Sequence, residues 1–339
     1  MGINLKKTVG SAVFVSSLLL SSASFAATWT IQTSTVPGDP GMPVYQAWAE
    51  KVKVMTEGRV EINVVPQDAI VRYDELFNAV RMGVVQGQIA SPAFWSGTEP
   101  AFGLMGDPVG AWSQALDFLD YVYNDDGLNL MRDLMKPYGQ YVVGIQVPGV
   151  EAFVSTVPIH GVEDLKGLKI RSPEGMAFAA FEAVGAQPVQ MSGNEIYSSL
   201  DKGVIDAADA AGFAANQAFG YHDIAKYPNF PGFHSTTQMV LAINQKAWDS
   251  VSKADQLIME TTFQNVAYEF ESMIRGLDLK ALAEVKKNPN VEVISWAPEE
   301  NKKFRAICKK IWAGWAEKSP ASKRVYDSLL NYLTERGLI

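Results

Sequence analysis

The chain has 339 residues, of which 47% are hydrophobic, and its 29 basic and 37 acidic side chains give a net charge of −8. An acidic protein of this size lacks the basic surface that binds nucleic acid. Its single cysteine, Cys308, excludes an intramolecular disulfide. Folding must therefore rely on core burial, and a chain of this length does so most naturally as two lobes.

The first residues have the layout of a secretory signal peptide. Lys6 and Lys7 form a short positive start, an apolar stretch covers 9–20, and residues 21–27 are nearly all small. The apolar stretch is shorter than the roughly 20 residues that span a bilayer. We therefore predict that residues 1–26 are a signal peptide and that the mature protein is exported to the periplasm.

From Thr28 onward, strand and helix patterns alternate. Strands are predicted at 29–33, 59–65 and 84–91, and helices at 44–56 and 73–82. Short strands that alternate with helices in this way are typical of an α/β fold, in which helices cover the faces of parallel sheets.

The second half repeats the alternation and ends in helices. Strands are predicted at 141–146, 152–157, 168–171, 188–189 and 204–208, and helices at 175–184, 194–202, 299–315 and 323–336. Ser252 and Asp255 resemble a helix N-cap with an acid three residues later, and apolar periodicity continues to about Val285. Such a helix is about 50 Å long. It exceeds one lobe, so we expect it to bridge both.

The motifs of common enzymes are missing. The three histidines, His160, His222 and His234, do not fall at metal-ligand spacing with a second ligand. The chain has no phosphate loop of the form G-x-x-x-x-G-K-S/T and no G-x-S-x-G nucleophile elbow. We therefore expect that the protein is not an enzyme.

Arg171 is the strongest candidate for ligand recognition. It ends a predicted strand and precedes Ser172 and Pro173, which begin a turn. Ligands of parallel sheets bind at this carboxyl edge, and the planar guanidinium can form two hydrogen bonds to a carboxylate. By itself, an arginine at a strand end more often belongs to a surface ion pair.

Three linked motifs carry a family resemblance. Residues 162–171 read VEDLKGLKIR, residues 183–189 read AVGAQPV, and residues 195–208 read EIYSSLDKGVIDAA. They resemble the substrate-binding (DctP-type) subunits of tripartite ATP-independent periplasmic (TRAP) transporters. Residues 58–62 and 75–83 also look like segments of this family. Residues 91–97, 99–102, 107–110 and 227–234 look most like the branch that binds 2-oxo and 2-hydroxy monocarboxylates.

The resemblance implies a two-lobed periplasmic binding protein fold of the α/β class, with a long helix spanning both lobes. It implies a cleft that closes on the ligand by hinge motion, with Arg171 paired to the ligand carboxylate. We expect lobe I to comprise 27–148 and 236–270, and lobe II to comprise 149–235 and 271–339, including the C-terminal helices. Those helices either pack on the body or form a homodimer contact.

The same branch often holds a cation beside the ligand, using a glutamine near 148–153 and a Glu-Trp pair after the last motif. Here Asp209 and Ala210 replace that pair, and no glutamine follows Gly149. Asp209 and Glu151 could still bind Na⁺ or Ca²⁺ through their carboxylates. Alternatively, they could accept hydrogen bonds from hydroxyl groups or an amine of the ligand.

Other residues complete the expected site. Asn216 and Gln217 could donate hydrogen bonds to ligand oxygens. Five aromatic residues are candidates for the walls of the cleft: Phe94, Trp95, Phe153, Phe213 and Tyr221. Each of them could instead be a core residue.

The expected function is capture of a 2-oxo or 2-hydroxy monocarboxylic acid and its delivery to the small and large TRAP permease subunits. No organic cofactor is required. A sugar acid, a dicarboxylate or a zwitterionic carboxylate is the alternative ligand. Two other classes are a periplasmic enzyme with Asp209 and Glu151 as its acid/base pair, and a binding protein that reports to a signalling receptor.

Overall fold

The computed structural model describes residues 1–2, 26–39, 41–173, 175–191 and 193–339. The predicted signal peptide, apart from residues 1–2 and 26, lies outside these residues. No helix in the described part of the chain has the length and apolar character needed to cross a membrane.

Strands in the described residues form two mixed sheets, one of order β2-β1-β3-β9-β4 and one of order β5-β8-β6-β7. The strands are β1 (Ala27–Thr33), β2 (Val60–Val65), β3 (Gly87–Ala90), β4 (Gln140–Gln146), β5 (Ala152–Ser155), β6 (Lys169–Arg171), β7 (Gln187–Val189), β8 (Ala207–Ala211) and β9 (Met239–Asn244).

Helices pack around both sheets. They are α1 (Met42–Met55), α2 (Leu76–Met82), α3 (Ala101–Gly106), α4 (Ala115–Asn124), α5 (Gly127–Met135), α6 (Met176–Ala183), α7 (Ile196–Asp201), α8 (Phe213–Ala218), α9 (Tyr221–Ile224), α10 (Gln245–Asp249), α11 (Lys253–Val285), α12 (Pro298–Ala316) and α13 (Pro320–Glu335). Short 3₁₀ turns lie at Tyr73–Glu75, Pro92–Trp95, Lys136–Tyr138, Val162–Leu165 and Gly193–Glu195.

The sheets are only partly parallel. In the first sheet β1 runs parallel to β2 and β3, but β9 inserts antiparallel between β3 and β4. In the second sheet β6 is parallel to β7 and β8, whereas β5 is antiparallel to β8. The chain therefore crosses between the sheets after β4 and returns before β9. Both crossings lie beside the edge where β6 ends.

The long helix α11 spans both lobes, as predicted. The Ser252 hydroxyl caps its first turn by accepting a hydrogen bond from the Asp255 amide. Phe263 and Phe270 in its first half belong to the core of the first sheet. Ala281 near its end packs instead with Ala152 and Phe213 beside the second sheet.

The C-terminal helices contact elements of both predicted lobes. Helix α12 packs against α6 of the second lobe and α3 of the first, and α13 packs against α3 and α5. The Tyr332 ring of α13 contacts the rings of Trp112 and Tyr121. Residues 320–335 thus contact α12 and the first-lobe helices α3 and α5, because their apolar face completes a core around α3–α5, helices that the sequence interpretation left unassigned. A homodimer contact would have to use the other faces of these helices.

Candidate ligand-binding site

Arg171 lies at the carboxyl end of β6, an inner strand of the second sheet. Its Nε donates to the Met191 carbonyl oxygen at 3.2 Å, and its Nη1 donates to the Asp209 carbonyl oxygen at 2.5 Å. These acceptors follow β7 and lie in β8, so the neighbouring strands orient the guanidinium. The side chain is half-buried. Among the described residues it forms no ion pair, and its Nη2 has no hydrogen-bond acceptor.

Beside Arg171 lies a buried acid and its partners. Asp209 is 2% exposed. Its Oδ1 lies 2.9 Å from His234 Nε2, and its Oδ2 lies 3.4 Å from the Ser172 hydroxyl. Burial acts to raise the pKa of Asp209, but the charge and hydrogen bond of His234 outweigh burial and hold that pKa below its usual range. Asp209 is therefore the acceptor of the pair.

Two further acids complete a polar cluster. The half-buried Glu151 accepts a hydrogen bond from Thr237 Oγ1 at 2.6 Å, and Asp107 accepts one from Ser235 Oγ at 2.7 Å. Burial, followed by the charge of Asp209, raises the pKa of Glu151 well above its usual value. Burial also raises the pKa of Asp107 to about 7. The cluster therefore carries less negative charge at neutral pH than three isolated acids would.

The two crossing segments bring this cluster together. Glu151 follows the crossing from β4, and its amide donates to the Ser235 carbonyl oxygen at 2.9 Å. The return segment, which includes His234 and Thr237, precedes β9. A Cβ atom on Gly232 would lie 1.9 Å from the Glu151 carbonyl oxygen, so only glycine allows the segments this close.

A small cavity of about 50 Å³ lies beside the cluster. Residues from both lobes and from α12 line it, among them Phe94, Asp107, Pro173, Thr237 and Trp315. Through Asp107 and Thr237 the cavity adjoins the hydrogen bonds of Ser235 and Glu151. A larger groove of about 270 Å³ runs along the edge strand β2 and α1, and it shares no residue with the cluster.

The predicted aromatic residues of the first lobe take different positions. Phe94 is 49% exposed, packs edge-to-face on Tyr73 and lines the cavity. Trp95 is buried in the core and stacks on Phe77 with ring centroids 4.9 Å apart. Of the two, only Phe94 borders the cavity.

The predicted site residues of the second lobe are mostly buried and pack behind the polar cluster. Phe153 is buried against the His234 ring, and Phe213 is buried against the rings of His222 and Phe230. Asn216 is fully buried and donates to the Ala152 and Ala211 carbonyl oxygens at 2.7 and 2.9 Å, which ties β5 to the end of β8.

Two remaining candidates lie nearer the surface. Tyr221 is largely buried, with its hydroxyl 3.5 Å from the Gly193 carbonyl oxygen, and Gln217 is half-buried. The structure therefore brings Arg171, Asp209 and Glu151 together. Trp95 and Phe213 are core residues, which is the alternative that the sequence left open for each aromatic candidate.

Comparison with known proteins identifies the family. Residues 33–319 match the family described as bacterial extracellular solute-binding protein, family 7, or DctP. The chain belongs to the DctP family. A TRAP periplasmic solute-binding protein from Rhodobacter sphaeroides, in an apo open structure, is 40% identical, with a TM-score of 0.81 over 92% of this chain and 99% of that one.

Two other DctP relatives are named for their ligands. A TRAP solute-binding protein from Colwellia psychrerythraea, with bound calcium and pyruvate, is 25% identical, with a TM-score of 0.82 over 92% of this chain and 96% of that one. The monocarboxylate 2-oxoacid-binding periplasmic protein of Nostoc sp. is 25% identical over 291 residues, which cover 82% of this chain and 76% of that protein.

Membership of the DctP family confirms several expectations. The fold is the two-lobed α/β fold of these proteins. The family is extracytoplasmic, and its members are non-enzymatic transport components. The alternative of an enzyme with Asp209 and Glu151 as an acid/base pair is therefore wrong.

The polar cluster contains residues that sequence reasoning missed, above all His234. Its partner Asp209 lies 25 positions earlier in the chain, so no short spacing revealed the pair. Asp107, Ser172 and Thr237 were missed for the same reason. The one available signal was a histidine placed directly after an aromatic residue, Phe233, in a segment that resembles the family.

Proposed function

We propose that this chain captures a small organic acid in the cleft between its lobes and delivers it to the small and large membrane subunits of a TRAP-type transporter. A 2-oxo or 2-hydroxy monocarboxylate is the first candidate ligand. Support comes from the 2-oxoacid-binding relative and from the pyruvate bound to the relative from Colwellia psychrerythraea.

The availability of Arg171 carries the proposal. Two backbone carbonyl groups hold its guanidinium, and no described acid lies within ion-pair distance of it, although the nearby charge of Asp209 acts on it. A ligand carboxylate can therefore pair with this guanidinium. It would occupy the position that an acidic side chain takes beside an arginine in a structural ion pair. Closure of the lobes removes competing water and strengthens this contact. Micromolar capture needs only about 8 kcal/mol in total.

We propose that the crossing segments near 147–151 and 235–238 form the hinge. These segments join the two sheets and carry Glu151 and Thr237, so lobe closure and site assembly involve the same backbone. The lobe boundaries that the sequence predicts at 148/149 and 235/236 fall within these segments. The last helix, α13, is assigned to the first lobe.

One observation favours a second class of ligand. Asp209 contacts Arg171 through its backbone, Glu151 and Asp107 lie close to Asp209, and carboxylate oxygens accept hydrogen bonds. A hydroxylated or zwitterionic carboxylate would present donors to these oxygens. Sugar acids, hydroxy acids and amino acids therefore belong in the ligand screen with 2-oxo acids.

The decisive experiment is mass spectrometry of the small molecules released when the purified protein is denatured. We expect an unmodified carboxylic acid. In parallel, pyruvate, lactate, succinate, glucuronate and alanine are tested for an increase in melting temperature. Failure of every acid in both measurements would contradict the proposal. Uptake of the identified acid by the reconstituted permease separates transport from a signalling role.

A further inference from the structure

The calcium-bound relative raises the question of a cation in this site. One carboxylate oxygen each from Glu151 and Asp209, and one ring nitrogen of His234, lie within 4.8 Å of one another. Sodium and calcium prefer sets of oxygen ligands, six to eight for calcium. An imidazole nitrogen is typical of transition-metal sites. The donor set therefore does not match the cation of the relative.

The hydrogen bonds of His234 also oppose metal binding. The ionised carboxylate of Asp209 only accepts, so the Nε2 atom of His234 must carry the proton that it donates across 2.9 Å. A histidine that binds a metal through Nε2 carries its proton on Nδ1 instead and donates it to a further acceptor. Here Nδ1 is buried and has no acceptor among the described residues. The ring is thus arranged as a donor to Asp209.

Packing keeps His234 in that orientation. Its side chain has no solvent exposure. The rings of Phe153, Phe233 and Phe181 surround it, with centroid distances of 5.4, 5.2 and 5.9 Å. A cation that used the His234 ring nitrogen together with both acids would have to reorient a wholly buried ring, and such cores tolerate little rearrangement.

The acids are already bonded within the protein. Asp209 uses Oδ1 for His234 and Oδ2 for Ser172, and Glu151 uses one oxygen for Thr237. The backbone of Asp209 in turn accepts from Arg171 at 2.5 Å. His234 therefore acts on Arg171 through Asp209.

We propose that His234 is a positioning residue that replaces the cation of the calcium-bound relative, so that ligand capture by this protein is independent of metal. His234 donates a hydrogen bond to the Asp209 carboxylate and so holds the Asp209 backbone beside Arg171. The part that concerns ligand capture rests on the proposed function. The part that concerns metal content stands on the geometry alone.

The first test measures metal directly. Elemental analysis of the purified protein should find far less than about one metal ion per chain. The melting temperature and the affinity for pyruvate should be the same in EDTA as in calcium chloride, and the same in sodium as in potassium buffer. One tightly bound ion per chain, or a loss of affinity of about tenfold in EDTA, would overturn the inference.

The second test uses two substitutions of His234. His234→Gln keeps an N–H donor for Asp209, whereas His234→Phe keeps aromatic packing and removes the donor. We expect His234→Gln to bind pyruvate within about threefold of the wild type, and His234→Phe to bind about tenfold or more weakly. Calcium should partly restore only the Phe variant, because its two acids have lost their internal partner.

A merely structural role for His234 predicts lower stability of the Phe variant without any calcium response, and that result would also overturn the inference. His160→Phe is the matched control, because His160 is exposed. If pyruvate does not bind the wild type, that ligand assignment fails. The metal content and the calcium-dependent melting temperatures of the wild type and the Phe variant still decide the role of His234.

Discussion

Two arginine–aspartate pairs in this protein are built in opposite ways. On the first lobe, Arg59 donates from Nε and Nη2 to the Asp255 carboxylate, at 3.2 and 2.9 Å to Oδ1. In the cleft, Arg171 reaches only the backbone oxygen of Asp209, and His234 takes the carboxylate. The guanidinium of Arg59 is thus fully engaged in a structural ion pair. Arg171 keeps its charge for a ligand because its neighbouring acid has another partner.

The two aspartates of α11 show a related contrast. Asp255, at the start of the helix, has the guanidinium of Arg59, and that hydrogen bond lowers its pKa. Asp278, near the other end, is 8% exposed and accepts a hydrogen bond from the Ala214 amide at 2.8 Å. Burial raises the pKa of Asp278 to about 6. A buried acid without a cationic partner is thus a site of pH-dependent stability.

The largest effect is expected at Arg171. Arg171→Lys should weaken pyruvate binding about 100-fold, because a lysine cannot reproduce the two-pronged contact, and Arg171→Gln should weaken it further. Titration calorimetry measures both. Lys169→Gln, two residues earlier on the same strand and exposed, is the control and should bind as the wild type does. Unchanged affinity of Arg171→Lys would remove Arg171 from the site.

A smaller effect is expected at Glu151. Its raised pKa means that it ionises only as the pH increases, which adds a negative charge beside Asp209, next to the proposed carboxylate site. The affinity of the wild type for pyruvate should therefore fall by about three- to tenfold as the pH rises and Glu151 ionises. Glu151→Gln mimics the neutral acid and should abolish that dependence. Parallel pH profiles of the two proteins would contradict the prediction.

Asp278 should affect stability but not affinity. Its folded-state pKa of about 6 exceeds the ordinary value of 3.8, so its contribution to the free energy of unfolding falls as the pH rises from about 4 to about 6. Asp278→Asn removes the buried charge. We expect a gain of about 1 to 2 kcal/mol above pH 7 and none at pH 4.

Denaturant unfolding of Asp278→Asn at both pH values checks this prediction. Asp249→Asn is the control, because Asp249 is exposed and hydrogen-bonds only within its own helix segment. A gain of equal size at pH 4 and pH 7 would show that the charge of Asp278 is not the cause.

The smallest effect on ligand binding is expected at Arg59. Arg59→Gln breaks the ion pair with Asp255, and the melting temperature should fall because the Asp255 side chain, only 4% exposed, loses its charged partner. Affinity for pyruvate should not change. If Arg59→Gln weakened binding as much as Arg171→Lys, the contrast between a structural and a ligand-binding arginine would be wrong.

Local patterns predicted much of the fold. The apolar periodicity after Ser252 indicated a bridging helix, and the structure has it at Lys253–Val285. By contrast, β9 was not predicted, because Met239–Asn244 is buried on both faces and shows no alternation. The strand predicted at 204–208 lies at Ala207–Ala211 instead. Helices α3–α5 were also missed, although α4 has its buried residues Ala115, Phe118, Leu119 and Val122 at helical spacing.

By itself, the sequence determined the family, the alternation of strands and helices, the bridging helix and the position of Arg171 at a strand end. Each of these depends on neighbouring residues or on motifs within short segments. Only the tertiary structure decided which partner each charge takes. Arg171 is available because Asp209, 38 positions away, bonds to His234, 25 positions further on. Such pairings depend on how distant segments pack, and no local spacing encodes them.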